Sequence, residues 1–385
     1  MSNEPKRVLH VLGTTNLGGA ESRVMELYRS IDREKIQFDF LIHTEKEGHY
    51  TKEILALGGR IYSVPRFKVY NITEYKKALR SFFSEHKEFV AVHGHMTSTA
   101  SIYLPIARKA GIPVTIAHAR SAGVDKGIKG VITKILRKPI ADRVDYCFTC
   151  STEAALAVFG QNNVKRGRVI TIPNAIDVDR FAFNDNVRNT VRKELGIDND
   201  KFVIGHVGRF GFMKNHKYLI EIFNEVYSKN NNALLVLIGK GELQDEIKSQ
   251  AEALGLRDKV MFLGTHSDVE RYYQAFDYFV FPSIFEGLPG SVAEAQASGL
   301  KCLVSDKVTG EVGLTPLVKY RSIEEPAVEW AKVILEDMNL TDDRIKDSKQ
   351  AQEMIRSKGF DVRQQASLMT DFYIKGTNPP GFVTK

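Results

Sequence analysis

The sequence predicts an α/β protein with two doubly wound domains, each built on a buried parallel sheet. The first reason is length, since 385 residues exceed what one hydrophobic core normally organises. The second is pattern, because short runs of Val, Ile, Leu and Phe alternate with amphipathic segments, as in parallel strands covered by helices on both faces. The third is that this pattern pauses over a turn-rich stretch near 175–200 and then starts again.

Twelve apolar runs are predicted to be strands. Seven precede the pause, at 7–12, 38–43, 60–64, 89–95, 114–118, 144–150 and 168–173. Five follow it, at 201–208, 233–239, 259–264, 277–283 and 301–306. We therefore place one domain at 1–182 and a second at 183–360, followed by an amphipathic helix at 361–376 that is predicted to pack back toward the first domain.

Composition is that of an ordinary globular protein, with 43% hydrophobic and 26% charged residues. No apolar run reaches the roughly 20 residues that a membrane span requires. The opening residues, MSNEPKRVLHVLG, lack the apolar segment of a secretory signal. We therefore expect a cytoplasmic protein, held peripherally at the inner face of the cell membrane for the reason given next.

Charge is distributed unevenly between the two predicted domains. Residues 1–182 contain 28 Lys and Arg against 18 Asp and Glu, whereas the remainder contains 26 against 29. No nucleic-acid motif accompanies the basic half, so we predict no nucleic-acid partner. An anionic membrane surface is the partner that we expect instead.

The basic excess is densest in one segment, 120–143. Its basic residues are Arg120, Lys126, Lys129, Lys134, Arg137, Lys138 and Arg143, and its apolar stripe is Val131, Ile132, Ile135 and Leu136. A solvated helix face would account for this pattern. Our hypothesis is that the segment docks on anionic lipid, beside a lipid-linked acceptor.

Ligands of open parallel sheets bind beyond the carboxyl ends of the strands, so the loops after strands are the places to search. The first such loop is GTTNLGGAES, 13–22. Gly18 and Gly19 allow a ligand close to the backbone, and the helix that follows favours an anion. The loop is neither a dinucleotide fingerprint nor a P-loop, and a simple tight turn would also explain it.

The second loop, GRFGFMKNH at 208–216, places Arg209 and Lys214 just before a predicted helix. The planar guanidinium of Arg209, which can donate two parallel hydrogen bonds, and the compact ammonium of Lys214 could together neutralise a diphosphate. Two solvated surface cations are the alternative interpretation of this loop taken alone.

The third loop is FEGLPGSVAE, 285–294. Pro289 suits the first position of a helix, which places Glu286 in the loop and Glu294 on the helix. Two carboxylates reaching one site from loop and helix suit a ligand with separate sets of hydroxyls. A capping Glu and a solvated Glu would be the structural alternative.

Together these loops resemble the family 4 retaining glycosyltransferases, which have the two-domain GT-B fold. FPSIFEGLPGSVAEAQASGL is similar to the E-x7-E signature of that family, VGRF followed by Lys214 resembles its diphosphate-binding pair, and GGAE resembles its N-terminal glycine loop. The resemblance extends from about residue 7 to 376 and is greatest to the bacterial exopolysaccharide and capsule members. It implies two Rossmann-like domains facing a cleft.

The resemblance also implies roles for individual residues. Arg209 and Lys214 would hold the donor diphosphate, Glu294 the ribose, and Glu286 the donor sugar. The remaining donor contacts that it implies are Gly18, Gly19, Gly264, Thr265, His266, Gly287 and Leu288. His118 would lie beside the transferred sugar, which makes His118, Glu286, Arg209 and Lys214 the candidate catalytic residues.

Two pairs of residues need separate comment. Gly290 and Ser291 stand where related sequences often carry aliphatic residues, and this leaves the identity of the donor sugar open. His93 and His95 share a face at a strand end, where they could line the acceptor site or simply pack in the core.

The chemistry that these residues predict is sugar transfer without a metal or other cofactor, because two cations and a helix N-terminus can stabilise a leaving diphosphate. The expected substrates are a nucleotide-sugar, with UDP as the expected nucleotide, and a lipid-linked or other saccharide acceptor. Two alternatives stay open: a nucleotide-sugar epimerase on the same fold, and a non-catalytic subunit that binds glycan or nucleotide.

Overall fold

The computed structural model describes residues 4–121, 123, 127–340 and 343–376. The chain forms two compact units, which divide between Ala175 and Ile176 and again between Asp361 and Val362. The first unit thus includes the C-terminal helix, and the second is continuous. From sequence the boundary was placed at 182/183, inside the second unit. Within the described ranges no helix combines the length and apolarity needed to cross a bilayer.

The first unit contains a seven-stranded parallel sheet. Its strands are β1 Lys6–Val11, β2 Ile36–Ile42, β3 Ile61–Ser63, β4 Phe89–Gly94, β5 Val114–Ala119, β6 Tyr146–Thr149 and β7 Val169–Thr171. Their spatial order is β3-β2-β1-β4-β5-β6-β7. Each of the seven runs predicted for this half is a strand, which confirms the interpretation of continuous apolar runs as buried parallel strands.

Helices cover both faces of this sheet. They are α1 Gly19–Ser30, α2 Thr51–Ala56, α3 Ile72–Glu85, α4 Ala100–Lys109, α5 Ile128–Arg137, α6 Thr152–Phe159 and α7 Gln161–Lys165. The C-terminal helix, Val362–Lys375, belongs to the same unit and packs with α1. Its apolar side chains, including Met369 and Phe372, lie in one core cluster with Phe38 and Phe148.

The second unit contains a six-stranded parallel sheet. Its strands are β8 Phe202–Val207, β9 Ala233–Ile238, β10 Val260–Gly264, β11 Tyr278–Phe281, β12 Lys301–Ser305 and β13 Val318–Arg321, in the order β10-β9-β8-β11-β12-β13. The sequence did not predict β13. Its sequence, VKYR, is short and half exposed, so it lacks the apolar run that identified the others.

The helices of the second unit are α8 Asp185–Glu194, α9 His216–Lys229, α10 Gln244–Ala253, α11 Val269–Ala275, α12 Gly290–Ala297, α13 Ala327–Met338 and α14 Arg344–Ser357. We number the C-terminal helix of the first unit α15. Because all paired strands in each sheet are parallel, the loops that follow them gather at one edge of that sheet. The candidate site residues are located on these two edges.

Candidate active site

The loop after β8 presents Arg209 to solvent. The side chain is 76% exposed, and its Nη2 donates to Glu242 Oε2 at 2.9 Å. Glu242 follows β9, and Gly239 allows the two loops to touch: its φ is +140°, and a Cβ there would lie 2.1 Å from the carbonyl oxygen of Gly208. A larger residue at 239 would therefore push these loops apart.

Lys214 lies in the same loop and is held more tightly. Its Nζ lies 2.8 Å from Glu286 Oε1, and both side chains are mostly buried. The ammonium also sits 4.4 Å from the centre of the Phe281 ring, within cation–π range. The amide of Ile284 donates to the carbonyl of Met213 at 2.9 Å, which joins the loop after β8 to the loop after β11. Two predicted site residues are thus in direct contact.

Glu294 lies on α12 and is only 5% exposed. Tyr273 Oη lies 3.0 Å from its Oε2 and 3.1 Å from the carbonyl oxygen of Ser291. Pro289 is the N-cap of α12 rather than its first helical residue, and no side chain caps the helix. The amides of Gly290 and Ser291 are therefore open to an anion, with Glu286 before them and Glu294 behind, whereas the Val292 amide donates to the carbonyl oxygen of Pro289 at 3.3 Å.

The loop after β10 carries the predicted base contacts. The carbonyl oxygen of Gly264 accepts a hydrogen bond from the amide of Gly239 at 2.7 Å, so this loop borders the one after β9. His266 Nε2 lies 3.0 Å from the carbonyl oxygen of Leu263, and its ring packs against that of Tyr272, with the centroids 4.3 Å apart and the planes tilted by 49°. Thr265 is exposed, whereas Leu288 in the neighbouring loop is buried.

The structure therefore gathers the predicted residues of the second unit at one sheet edge. We call Arg209, Lys214, Glu242, Glu286 and Glu294 the paired edge, because both cations are matched by carboxylates. Sequence reasoning missed Glu242 and Tyr273. The run Ile-Gly-Lys-Gly-Glu after β9 is a glycine-rich loop that could have identified Glu242. Tyr273 lies within α11 in RYYQA, which carries no motif.

In the first unit, Gly18 is the N-cap of α1, and no side chain caps this helix. A Cβ at Gly18 would lie 2.4 Å from Glu21 Oε2, whereas one at Gly19 would meet nothing within 4 Å. Open space therefore lies beside Gly19, whereas the Glu21 carboxylate lies against Gly18 and accepts a hydrogen bond from its own backbone amide.

Four histidines form a buried group on one face of the first sheet. We call them the histidine cluster: His10, His93, His95 and His118, each at most 8% exposed. His10 Nδ1 lies 3.0 Å from His95 Nε2, and His93 Nε2 lies 3.0 Å from His118 Nδ1. The hydroxyl of Tyr373, on α15, lies 2.6 Å from His93 Nδ1. The predicted residues His93, His95 and His118 therefore lie together, and His10, which contacts His93 and His95, is a fourth member.

These imidazoles are neutral at physiological pH. Burial lowers the pKa of His10 to about 3 and lowers the pKa values of the other three well below the ordinary histidine value. Donor nitrogens of His10, His93 and His95 lie within 4.8 Å of one another, a spacing compatible with a metal ion. The Arg120 guanidinium, whose Nε lies 3.4 Å from His95 Nδ1, opposes a divalent cation there.

The basic segment 120–143 corresponds partly to α5. Ile128, Val131 and Ile135 are 80%, 58% and 58% exposed, and occupy one face of the helix. Lys129, Lys134 and Lys138 are exposed beside them. These six residues are the α5 face.

Three described members of the predicted basic segment do not belong to this face, and one of them, Arg143, follows the helix and donates to the carbonyl oxygen of Ser101 at 3.2 Å. Arg137 is 8% exposed and donates to Thr97 Oγ1 at 3.0 Å, while Arg120 is half-buried beside His95. Lys126 lies outside the described residues. The sequence pattern did not separate these inward-facing arginines from the outward-facing lysines, because the direction of a side chain in a loop or at the end of a helix depends on tertiary packing.

Two family models match the chain. Residues 17–180 match "Glycosyltransferase Family 4", and residues 187–314 match "Glycosyl transferases group 1". The second match includes the whole paired edge.

Curated relatives agree with these matches. The chain is 36% identical over 378 residues to the putative glycosyltransferase EpsF of Bacillus subtilis, covering 97% of each chain. It is 26% identical over 310 residues to the Escherichia coli UDP-Gal:alpha-D-GlcNAc-diphosphoundecaprenol alpha-1,3-galactosyltransferase, covering 78% of this chain and 79% of the relative.

Among solved structures, Anabaena Alr3699/HepE in complex with UDP and glucose superposes with a TM-score of 0.76 at 17% identity, covering 94% of this chain and 99% of that one. The lipopolysaccharide glycosyltransferase WaaG gives a TM-score of 0.75 at 15% identity, covering 95% and 99%. At such identities these structures establish the fold.

Proposed function

Because the chain belongs to the group 1 and family 4 glycosyltransferases, we propose that it moves a sugar from a UDP-sugar to a lipid-linked saccharide in exopolysaccharide or capsule synthesis. The transfer would retain the configuration of the sugar and need no metal. The observation that carries this proposal is the paired edge, where two cations, two site carboxylates and an uncapped helix start converge on one sheet edge.

Stabilising the leaving diphosphate is the main catalytic task of such an enzyme. Arg209 and Lys214 would exchange their carboxylate partners for phosphate oxygens, and the first amides of α12 would add hydrogen bonds. The exchange is easy for Arg209, because an exposed ion pair contributes at most about 1 kcal/mol. Lys214 is less exposed, so its charge is positioned before the donor arrives.

The two glutamates would orient the donor rather than attack it. Glu294, fixed by Tyr273, would accept hydrogen bonds from the ribose hydroxyls. Glu286, once released from Lys214, would accept hydrogen bonds from the sugar. The acceptor proton would pass to the departing phosphate oxygen, so the transfer requires no separate base. His118 is proposed to hydrogen-bond a hydroxyl of the transferred sugar, and His93 and His95 to support the acceptor side.

The choice of UDP and of a lipid-linked acceptor is supported by the relatives. The E. coli relative is named for UDP-Gal and a diphosphoundecaprenol acceptor, and the Anabaena structure contains UDP. A membrane-bound acceptor also agrees with the α5 face, whose exposed apolar residues and lysines suit an anionic bilayer. We propose that this face holds the enzyme at the inner surface of the cell membrane.

A groove beside α5 strengthens the membrane proposal. Its volume is about 630 Å³, and apolar side chains of α4 and α5, including Ile106 and Leu136, line it. Its charged lining residues are Lys76, Arg80, Lys109 and Arg143, without a carboxylate. A surface with this combination favours anionic lipid over neutral lipid.

The donor assignment is tested by thermal shift with UDP-, GDP- and ADP-sugars on the wild type and on Glu294→Ala. We expect stabilisation by a UDP-sugar that is lost in the variant, with Glu246→Ala, an exposed glutamate on α10, as the matched control. Stabilisation by none of the three, or equal stabilisation of both proteins, would contradict the donor site.

The membrane assignment is tested by flotation with phosphatidylglycerol vesicles. Val131→Glu with Ile135→Glu should abolish binding, whereas Leu254→Glu, at an exposed leucine of the second unit, should leave it intact. Unchanged flotation of the double variant would refute the α5 face as a lipid contact.

Acceptor dependence separates this proposal from its two alternatives. An epimerase would convert the nucleotide-sugar without any acceptor, and a non-catalytic subunit would bind it without turnover. The intact paired edge favours catalysis, since Arg209, Lys214, Glu286 and Glu294 are all present. Product analysis with and without a lipid-linked saccharide distinguishes the three outcomes.

A further inference from the structure

Arg120 directly follows β5 at the carboxyl edge of the first sheet. Its Nε donates to His95 Nδ1 at 3.4 Å, and its Nη1 donates to Asn174 Oδ1 at 3.0 Å. Both partners are neutral, because burial keeps His95 unprotonated. Within the described part of the chain, Arg120 makes no ion pair and its Nη2 makes no hydrogen bond.

Three other enclosed arginines are satisfied by a carboxylate or by several carbonyl groups, whereas Arg137 donates to Thr97 Oγ1 and to the carbonyl oxygen of Gly123, with no carboxylate partner among the described residues. Arg7 pairs with Asp39, and Arg192 pairs with Asp277. Arg344 lacks a close carboxylate, but it donates to backbone carbonyls at four residues, among them Tyr273 and Ser298. Arg120 has neither arrangement, although it is half-buried.

The electrostatic surroundings make this charge costly. The pKa of Arg120 is lowered to about 10, mainly by burial and to a smaller extent by Arg23, another cation. A guanidinium taken from water without a counter-charge destabilises the fold. Such a group is explained if an anionic ligand supplies the missing charge, and a guanidinium fork matches phosphate oxygens in particular.

We propose that Arg120 binds the diphosphate of the lipid-linked acceptor, so that the enzyme distinguishes diphosphate-linked acceptors from neutral glycolipids. This inference rests on the proposed function, since it presupposes such an acceptor. The free Nη2 would donate to a phosphate oxygen. Asn174 and His95 would hold the guanidinium in place, because each already accepts one of its other N–H groups.

Two neighbouring features agree with an anionic ligand at this edge. Arg23, on α1 and paired with Glu26 at 2.9 Å, contributes positive potential at Arg120. The α5 face begins eight residues after Arg120 in the chain. A headgroup whose lipid tail remains in the bilayer would therefore meet this part of the first unit.

The test measures binding of farnesyl diphosphate to the full chain by calorimetry, with saturating UDP occupying the donor site. Arg120→Gln should weaken binding about 10- to 100-fold, the usual effect of losing a charge-assisted hydrogen bond. Arg120→Lys should recover part of the affinity, because it restores the charge without the fork. Arg108→Gln, at an exposed arginine paired with Asp145, should behave as the wild type.

Two further arms separate this role from others. Octyl glucoside, a neutral amphiphile, should bind the wild type and Arg120→Gln with equal affinity. If Arg120→Gln instead lost affinity for octyl glucoside and for farnesyl diphosphate to the same extent, the role of Arg120 would be structural. Flotation with phosphatidylglycerol vesicles should be unchanged in Arg120→Gln. A parallel loss there would identify a phospholipid headgroup as the ligand and overturn the proposal.

Undiminished binding of farnesyl diphosphate by Arg120→Gln, or none by the wild type, would also overturn it. Failure of the proposed function is detected separately, through absence of nucleotide stabilisation or of acceptor-dependent transfer. If UDP itself does not bind, the calorimetry is repeated on Arg209→Ala, which removes a competing cation of the second unit.

Discussion

The two sheet edges of this protein handle charge in opposite ways. In the second unit, Arg209 and Lys214 are each matched by a carboxylate, and the Arg209 pair is open to water. In the first unit, Arg120 adjoins neutral imidazoles and forms no ion pair among the described residues. One edge is balanced before a ligand arrives, and the other retains an unmatched positive charge.

This difference suggests how each edge treats its ligand. At the paired edge, a charged ligand replaces the carboxylate partners of the two cations. The ligand can therefore leave again when the carboxylates re-form their ion pairs. An unmatched cation in a partly buried place gains more from an anion, because the anion removes an existing penalty. The first arrangement suits a donor whose nucleotide must be released after each transfer. The second suits a substrate held by its diphosphate during the reaction.

The largest effect is expected from replacing Lys214, because its ion pair with Glu286 is the less exposed of the two pairs in the paired edge. Lys214→Ala should lower kcat about 100- to 1,000-fold, since it removes a preorganised charge from the leaving group. Lys217→Ala, at an exposed lysine of α9, is the control and should retain activity. Steady-state kinetics with saturating donor measure both, and a loss below tenfold would mean that Lys214 does not act on the leaving diphosphate.

The second-largest effect is expected from acidification, which should destabilise the two units to different extents. Burial lowers the folded pKa of all four members of the histidine cluster, and of His206 and His216 in the second unit. Below the unfolded value of about 6.5 the unfolded chain binds more protons, so stability is full above that pH and falls with acidification. Each histidine lowers the free energy of unfolding by at most about 1.4 kcal/mol for each pH unit of acidification.

Because the first unit contains more such histidines, its amides should lose protection more steeply between pH 7.5 and pH 5. Hydrogen exchange followed by mass spectrometry resolves the two units. Equal loss of protection in both would show that the histidine cluster does not govern acid sensitivity.

A smaller change is expected from Tyr273→Phe. It removes the hydroxyl next to Glu294 while leaving the ring in the core, so the carboxylate loses its positioning partner. The Kd for UDP should rise about two- to tenfold, as expected for one hydrogen bond. Tyr227→Phe, on α9, is the same chemical change at a tyrosine whose ring faces Lys259, and it serves as the control. A Kd unaffected by Tyr273→Phe would remove Tyr273 from the site.

The smallest effect is expected from Glu242→Gln. It releases Arg209 from an exposed pair that contributes at most about 1 kcal/mol. UDP should then bind up to about fivefold more tightly, because less competition for the guanidinium remains. Glu252→Gln, at an exposed glutamate of α10, should leave calorimetric affinity unchanged. Weaker binding in Glu242→Gln would mean that Glu242 positions Arg209 rather than competing with the ligand.

The sequence predicted the paired edge of the second unit better than it predicted the surroundings of Arg120 in the first unit. The strands of both sheets were identifiable from continuous apolar runs, except β13, whose residues are half exposed. Glu286, Glu294, Arg209 and Lys214 were found because each follows a strand and belongs to a family signature.

The remaining parts depend on contacts between distant segments. Glu242 pairs with Arg209 across two loops, and Tyr273 reaches Glu294 from another helix. In the first unit, Arg120 was grouped with the surface lysines of α5. Only the packing of β4 and β7 beside it shows that its neighbours are His95 and Asn174. Charge counts along a chain do not specify which side chains turn inward.

The location of α15 has a consequence for biosynthesis. This helix is made after the whole second unit, yet it supplies Phe372 and Tyr373 to the core of the unit that contains β1, and Lys6 Nζ donates to the carbonyl oxygen of Ile374 at 2.9 Å. During translation the second unit can complete its core while the first still lacks a helix. The order of folding on the ribosome should therefore reverse the order of synthesis, and premature termination before Val362 would yield a product with an uncovered apolar sheet face that chaperones and proteases can detect.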